Sequence, residues 1–475
     1  MARSTDICVF GATGFTGFRV LLELCRSEGA RRHQGRVLAA VRSPQRLQAM
    51  LRDHQLEHLE VISVDVSDDM SLKRMAARTR LVLNCVGPYR IFGEPVFAAC
   101  CLEGTDYLDV TGEPDFIERM EHKYHQKAQE NGCLMASAAG FDSVIADLGV
   151  LHAMNQLQSP AVPSSVESFL TVYPGPKGAK GHFATWHSAV LGMGSAQDLR
   201  HLRQEIKRAG VAPGKPSVPG KAPKTQSGAL WDPRVSAYSI TFPGSDASVV
   251  RRTQAARGAA GLPAVHYAAF FTVVSRIAVL GMAFVGLCMQ VLAIRSWGRW
   301  LMLTFPGFFS LGMFSEAGPT QEQMASTWFR MTFFTRGFSC GVASQADNPS
   351  RAWLDGQAAQ AGSPAKSILQ AHPTAFTAEP DVQVVSHVSG PEPGYKATPI
   401  IIVQCSLALL EERDRAPKPG GVFTVGTLLR DTTIIQRLHK AGVLFEVESV
   451  SLRQPGGAFK EALHGRVNKP PLEGG

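Results

Sequence analysis

Residues 8–17 read CVFGATGFTG, with Gly11, Gly14 and Gly17 three apart behind a short apolar run. Glycines so placed allow a tight turn and close backbone approach. They also leave the free N–H groups of a following helix open to an anion such as a pyrophosphate. Asp6–Phe10 (DICVF) predicts a buried strand, and Phe18–Arg26 (FRVLLELCR) predicts a helix with one apolar face. Strand, glycine turn and helix in that order form the setting of a dinucleotide fingerprint, with Gly11, Thr13, Gly14, Phe15, Thr16 and Gly17 at the phosphates. The spacing is G-x-x-G-x-x-G rather than the commoner G-x-G-x-x-G, and a plain strand-to-helix turn is the competing reading.

The following segments extend that pattern. Val37–Val41 (VLAAV) predicts the next strand, followed by Arg42, Ser43 and Arg46. No Asp or Glu stands where an NAD-binding fold would hold the ribose hydroxyls. An arginine suits a 2′-phosphate, so NADP is expected, with NAD as the alternative. Solvated surface arginines would read the same way. Glu60–Val64 predicts a third strand with Asp65 near an adenine edge. Leu81–Val86 predicts a fourth, running into Gly87-Pro88-Tyr89-Arg90. Ligands meet the carboxyl ends of such strands, so Asn84, Gly87 and Pro88 are expected beside the ribose and nicotinamide. Tyr89 and Arg90 serve equally as packing and surface groups.

Hydride chemistry usually needs a proton donor. Tyr173 and Lys177 have a familiar four-residue spacing, but Pro174-Gly175-Pro176 between them cannot be helical, so the pair is set aside. Asp142 and Ser143, in GFDS at a further strand end, are candidates either for catalysis or for capping the next helix. His182 and His187 (GHFATWH) titrate near neutral pH but also suit ordinary packing. Glu113 in TGEPDF faces a cleft or occupies a turn. No cluster has metal-ligand spacing, and no metal is expected.

The chain has 475 residues, long enough for two or three domains. A net charge of +8 fits a nucleotide phosphate or a lipid headgroup surface. Without a dense basic arm or zinc-finger spacing it gives no footprint for nucleic acid. Nine cysteines without a CxxC pair read as reduced thiols. The opening MARSTDICVF enters a strand directly, and neither a signal peptide nor a myristoylation signal is expected.

CVFGATGFTG, VLNCVGPYRIFGEPV, TGEPDF, AGFDSVIADLGV and VESFLTVYPGP, with GSDASVVRRTQ, GPTQEQ, SGPEPGYKATPI and GGVFTVGTLL, resemble the saccharopine dehydrogenase-like oxidoreductases from about residue 6 to residue 450. The resemblance implies an α/β fold: an N-terminal Rossmann-like doubly wound sheet and a second α+β domain. It also implies association with lipid droplets and the cytosolic face of membranes, with mitochondria as another location. Bacterial enoyl reductases of glycolipid synthesis are similar to this branch. Saccharopine itself would demand converging Arg and Lys side chains, and none can be assembled from the sequence. The expected function is an NADP-linked oxidoreductase acting on a lipid-like substrate. The alternatives are a droplet-bound dinucleotide-binding scaffold and, last, a true saccharopine dehydrogenase. A homodimer is a candidate assembly.

Ile277–Ile294 is an uncharged 18-residue run, at the lower limit for spanning a bilayer, with a buried core helix as the competing reading. Arg276 precedes it, and Arg295, Trp297, Arg299 and Trp300 follow like interfacial anchors. Leu301–Phe314 is a second apolar run broken by Pro306 and Gly307. A full span would separate the two flanks of one globular body, so a monotopic hairpin is expected. The expected organisation is a Rossmann domain over 1–145 and a second domain over 146–263 and 381–475, whose last part is a candidate to rejoin the first. A hydrophobic membrane-associating segment over 264–316 interrupts it. The stretch 345–380 departs from the family pattern and reads as an inserted loop, and 210–228 reads as a Pro, Gly and Lys linker.

Overall fold

The computed structural model describes residues 3–157, 161–210, 214–339, 379–453 and 459–464. Most of the 345–380 stretch, and residues 211–213 of the expected linker, lie outside them. In the first third of the chain strands and helices alternate. β1 (Thr5–Phe10), β2 (Val37–Val41), β3 (Glu60–Ser63), β4 (Thr79–Asn84), β5 (Asp106–Asp109) and β6 (Leu134–Ala136) are joined by α1 (Phe15–Arg26), α2 (Pro44–Arg52), α3 (Asp69–Arg78), α4 (Tyr89–Leu102) and α5 (Pro114–Glu130). Strands such as β2 are buried at every residue because helices cover both faces of the sheet. The strands are parallel in the order β3-β2-β1-β4-β5-β6, which reverses between β1 and β4. Phe10 lies opposite Asn84 at that junction, so the turns after β1 and β4 sit side by side. A crevice at the carboxyl ends of the strands opens at such a reversal.

α6 (Phe141–Met154) is apolar nearly all round and is buried accordingly. It leads to an eight-stranded, largely antiparallel sheet. This sheet comprises β7 (Val162–Tyr173), β9 (Leu230–Asp232), β10 (Ala237–Thr241), β11 (His266–Val273), β13 (Trp328–Phe338), β14 (Val382–Pro391), β16 (Leu444–Arg453) and β17 (Phe459–His464). β8 (Gly181–His182) and β12 (Phe314–Ser315) form a separate parallel pair. One buried cluster joins the two sheets, running from Ile7 and Leu83 through Val144 and Leu148 to Leu170 and Phe333.

Several boundaries differ from the sequence expectation. The apolar segment expected from residue 264 begins ten residues later, because His266–Val273 is a core strand paired with β7 and β10. The part of the expected linker that is described packs against the body, with the buried Ser164 hydroxyl donating to the Pro219 carbonyl at 2.7 Å. The chain also returns to the first sheet. α14 (Thr398–Glu411) packs on α1, and β15 (Gly421–Phe423) pairs with β6 as a seventh parallel strand.

Helices α7 (Phe183–Gly194), α10 (Arg276–Leu292), α11 (Ser296–Thr304) and α12 (Pro306–Phe309) share one apolar cluster, α8 (Ala196–Arg208) packs on α5, α9 (Asp246–Ala259) lies between β10 and β11 in sequence and α13 (Gln321–Ser326) precedes β13. No helix among the described residues is long and apolar enough to cross a membrane. α10 is apolar on two faces. Val285, Cys288, Met289 and Leu292 pack against Trp186 and Val190 of α7. Ile277, Leu280, Phe284, Leu287, Val291 and Ile294 form a stripe at three- and four-residue spacing on the exposed side, with Ile277 82% and Leu280 72% exposed. Trp297, Trp300, Phe305 and Phe308 extend that surface over α11 and α12.

The α6–sheet contact yields a signed stability test. A Cβ on Gly149 would lie 2.2 Å from Cζ of Phe333, which is wholly buried. Gly149→Ala should therefore lower Tm by a few degrees through overpacking of about 1–3 kcal/mol. Helix propensity alone would raise Tm, so an unchanged or higher melting temperature would refute this packing.

Candidate nucleotide crevice and its flanking groups

The glycine turn is shaped by contacts that admit no side chain. Gly11 has φ +85°, and a Cβ there would meet Val86 Cγ2 at 2.7 Å. A Cβ on Gly17 would lie 2.2 Å from the Gly11 carbonyl oxygen. α1 begins at Phe15, earlier than expected, so Phe15, Thr16 and Gly17 form its first turn and their N–H groups have no intrahelical acceptor. Gly14 is exposed at the rim, and Thr13 is partly exposed. The Cys85 N–H donates to the Phe10 carbonyl at 2.8 Å, locking the turn beside Cys85–Pro88. These features fit a dinucleotide pyrophosphate: a side-chain-free cradle at a helix N-terminus, set at the sheet's reversal.

Arg42 and Ser43 follow β2, and Ser43 precedes α2. Both are exposed, as is Arg46, and neither arginine has an ion-pair partner among the described residues. Asp65 accepts from the N–H and hydroxyl of Ser67, which lowers its carboxyl pKa, with Arg42 adding to the effect. Asn84 departs from expectation. Its side chain is fully buried, donating to Tyr107 Oη at 3.0 Å and accepting from the Val86 N–H at 3.0 Å, so it shapes the crevice floor rather than reaching into it. Gly87 is exposed, whereas Pro88 is buried at the start of α4.

Two further carboxylates are buried, Asp109 beneath the crevice floor, where Tyr107 links it to Asn84, and Asp147 in the middle of α6. Asp109 accepts from Tyr107 Oη, Ser137 Oγ and the N–H groups of Thr111 and Ala138. Burial nevertheless pushes its pKa up to about 6. Asp147 accepts from Thr253 Oγ1 and the Gly426 N–H, both at 2.8 Å, and burial pushes it up to about 7.

Glu113 is structural in its bonding. Its oxygens accept from the N–H groups of Tyr89 and Arg90, the Arg90 Nε and the Ser188 hydroxyl, all at 3.0–3.1 Å. It thereby fastens the N-terminus of α4, beside Gly87 and Pro88, to α7. Arg90 is occupied by Glu113, Asp115, the Leu191 carbonyl and Ser195, which leaves it no free edge for a substrate carboxylate. His182 is likewise occupied. Its Nδ1 accepts from the Ala184 N–H, capping α7, and its ring stacks on Phe15 at 4.6 Å. Burial lowers its pKa, and the Arg19 charge adds to that. Ser143 is buried and bonded to Ser245 Oγ at 2.8 Å, a contact between two helix starts rather than a crevice group.

Asp142 and His187 remain. Neither has a hydrogen-bond partner among the described residues. Asp142 is open to solvent, and its Oδ2 lies so near Gly112 that a Cβ there would approach to 2.6 Å. The surrounding protein desolvates the carboxyl and raises its pKa. His187 stacks with Phe183 and feels the Glu113 carboxylate, which opposes the lowering of its pKa by burial. Both therefore border the Gly112–Glu113 turn beyond the carboxyl end of β5. No group of three metal-ligating side chains able to hold an ion occurs among the described residues.

The description "Saccharopine dehydrogenase NADP binding domain" belongs to a family model that matches residues 7–135. A mouse protein named saccharopine dehydrogenase-like oxidoreductase is 39% identical over 462 residues, covering 94% of this chain and 98% of its own length. The chain belongs to the saccharopine dehydrogenase-like oxidoreductase family. Family membership and the matched domain support a nicotinamide dinucleotide cofactor. A Caenorhabditis elegans relative named lipid droplet localized protein is 29% identical, covering 94% of this chain and 98% of its own. Among solved structures, the apo saccharopine dehydrogenase (L-Glu forming) of Saccharomyces cerevisiae covers 94% of this chain and 99% of its own, with a TM-score of 0.50 and 11% identity. That likeness shows a shared fold.

The elevated Asp147 pKa makes stability pH-dependent. In the unfolded chain the carboxyl ionises near pH ~4, while in the folded chain it holds its proton until about 7. Its contribution to stability is thus greatest below the unfolded value, falls as pH rises between the two, and stays low above. Asp147→Asn keeps an oxygen for Thr253 and Gly426 and removes the titration. The Tm difference between pH 5 and pH 8 should shrink in the variant; an unchanged difference would show that Asp147 does not titrate in this window.

Proposed function

We propose that this chain is an NADP-dependent oxidoreductase that works at a lipid surface, lipid droplets included, on a lipid-like substrate. The observation that carries the reading is α7. On one side it holds the crevice, through His182 on Phe15 and Ser188 on Glu113. On the other, Trp186 and Val190 anchor α10–α12, whose outer face is an uncovered apolar surface. A contiguous patch of this kind marks an interaction site. Its cations suit a phospholipid surface: residues 261–315 contain Arg276, Arg295 and Arg299 and no acidic residue.

Phe15–Gly17 would hold the pyrophosphate, Arg42 and Arg46 a 2′-phosphate, and Gly87 the approach to the nicotinamide. Bound there, the cofactor supplies hydride chemistry. Asp142, with open access and no hydrogen-bond partner for its carboxyl among the described residues, is the proton-transfer group favoured by the geometry, and His187 is the second candidate. A dinucleotide-binding scaffold with little turnover is the second reading, favoured by the structural bonds that occupy Ser143, His182 and Glu113.

Calorimetric titration tests the cofactor half, and flotation with phosphatidylcholine vesicles tests the surface half. Arg42→Ala and Arg46→Ala should each weaken NADPH binding about tenfold and leave NADH unchanged, as expected for lost charge-assisted phosphate contacts. Leu280→Asp with Phe308→Asp should abolish flotation without lowering Tm. Equal losses for both cofactors, or flotation unaffected by two charges, would contradict the corresponding half.

A further inference from the structure

At the edge of the second sheet a hollow of about 360 Å³ is lined by Trp231, Tyr238, Val274 and Arg276. Its construction follows from strand register. Trp231 on β9 and Tyr238 on β10 are direct cross-strand partners, so their rings rise on one face of the sheet. They meet at 74° with centroids 5.3 Å apart, forming two walls of an open aromatic corner. Tyr238 also pairs with Val273, the last residue of β11, which brings Val274 and Arg276 to the same corner. The Arg276 Nε donates to Tyr238 Oη at 2.9 Å, which orients the guanidinium. Its two Nη groups have no partner among the described residues.

These residues are exposed despite their apolar surface: Trp231 is 54% exposed, and Val274 more so. Asp232, the nearest acid in sequence, is neutralised by Arg234 at 2.8 Å and offers no opposing charge. Immediately beyond Arg276 the uncovered stripe of α10 starts with Ile277 and Leu280. Oriented cation, aromatic corner and apolar stripe therefore follow one another along a single line.

We infer that this corner is a phospholipid headgroup site selective for phosphocholine. The phosphate pairs with the free Nη edge of Arg276, the trimethylammonium group packs against the exposed ring faces of Trp231 and Tyr238, and the acyl chains run onto Ile277 and Leu280. Arginine is suited to phosphate oxygens, and aromatic walls attract quaternary ammonium ions. The inference rests on the proposed lipid-surface reading and adds the identity of the lipid.

Full-length protein is titrated with monomeric dihexanoyl-phosphatidylcholine, dihexanoyl-phosphatidylethanolamine and free phosphocholine, and its sedimentation with dioleoyl-phosphatidylcholine vesicles is measured in parallel. The phosphatidylcholine should bind at least about fivefold tighter than the ethanolamine lipid, the range of a cation–π contribution. Trp231→Ala should lose that preference, and Arg276→Gln should weaken binding of both lipids, because the phosphate is common to them. Arg52→Gln removes the same charge from an exposed position of the first domain and should bind as wild type does. All three positions lie at the surface, and unchanged melting curves confirm folding. Equal binding of the two lipids, or wild-type binding by Arg276→Gln, overturns the site. Free phosphocholine binding as tightly as the lipid overturns the lipid assignment in favour of a soluble ligand. Vesicle sedimentation without monomer binding defeats the headgroup site alone, whereas loss of both defeats the surface reading with it.

Discussion

The buried carboxylate of Glu113 is the interaction on which the rest of the arrangement depends. It receives two backbone N–H groups at the start of α4, the Arg90 side chain and the Ser188 hydroxyl. A buried carboxylate is tolerated only when paired and hydrogen-bonded in this way, and removing one partner of such a pair leaves an uncompensated charge. Glu113 thus fixes three things together: the turn after β4, the cation Arg90, and α7. Since α7 in turn carries Trp186, the position of the apolar helices relative to the crevice is set by one acid in the β5–α5 turn.

The apolar helices answer a different constraint. α10 is hydrophobic on both faces, and a helix of that kind is normally buried. Here one face is covered by α7, while the stripe from Ile277 to Ile294 stays largely exposed, with Phe284 meeting the edge of Phe308. Arg299 caps the exposed end by donating to the Ala293 and Ile294 carbonyls, so α10 is a finished helix rather than a fraying one. No helix among the described residues, α10 included, is long and apolar enough to cross a membrane.

Much of the first sheet was legible because its signals are local. Gly11, Gly14 and Gly17 between DICVF and FRVLLELCR mark a turn that backbone sterics alone require. The run after VLAAV exposes Arg42 and Arg46 where the chain must leave the strand. Signals that depend on distant partners were not legible. Asn84 looked like a crevice residue until Tyr107 and the Val86 N–H took its amide. Ser143 and His182 looked chemical, but Ser245 and Ala184 occupy them. His266–Val273 reads as the start of an apolar insertion, because an apolar run of eight does not distinguish a central strand from a surface helix. The return of α14 and β15 to the first sheet joins residues nearly three hundred apart in sequence, as in the Gly421–Leu134 pairing, a placement that the sequence left open as one of two.

The central claim is that one chain holds a dinucleotide on the crevice side of α7 and a lipid surface on the other. Hydrogen exchange of the full-length protein, read by peptide with NADPH and with phosphatidylcholine vesicles in turn, tests it directly. The account predicts that NADPH slows exchange in residues 11–19, 42–47 and 84–91, and that vesicles slow it in 274–313. Protection by NADPH outside the glycine turn and the ends of β2 and β4, or vesicle protection that leaves α10–α12 untouched, would contradict it.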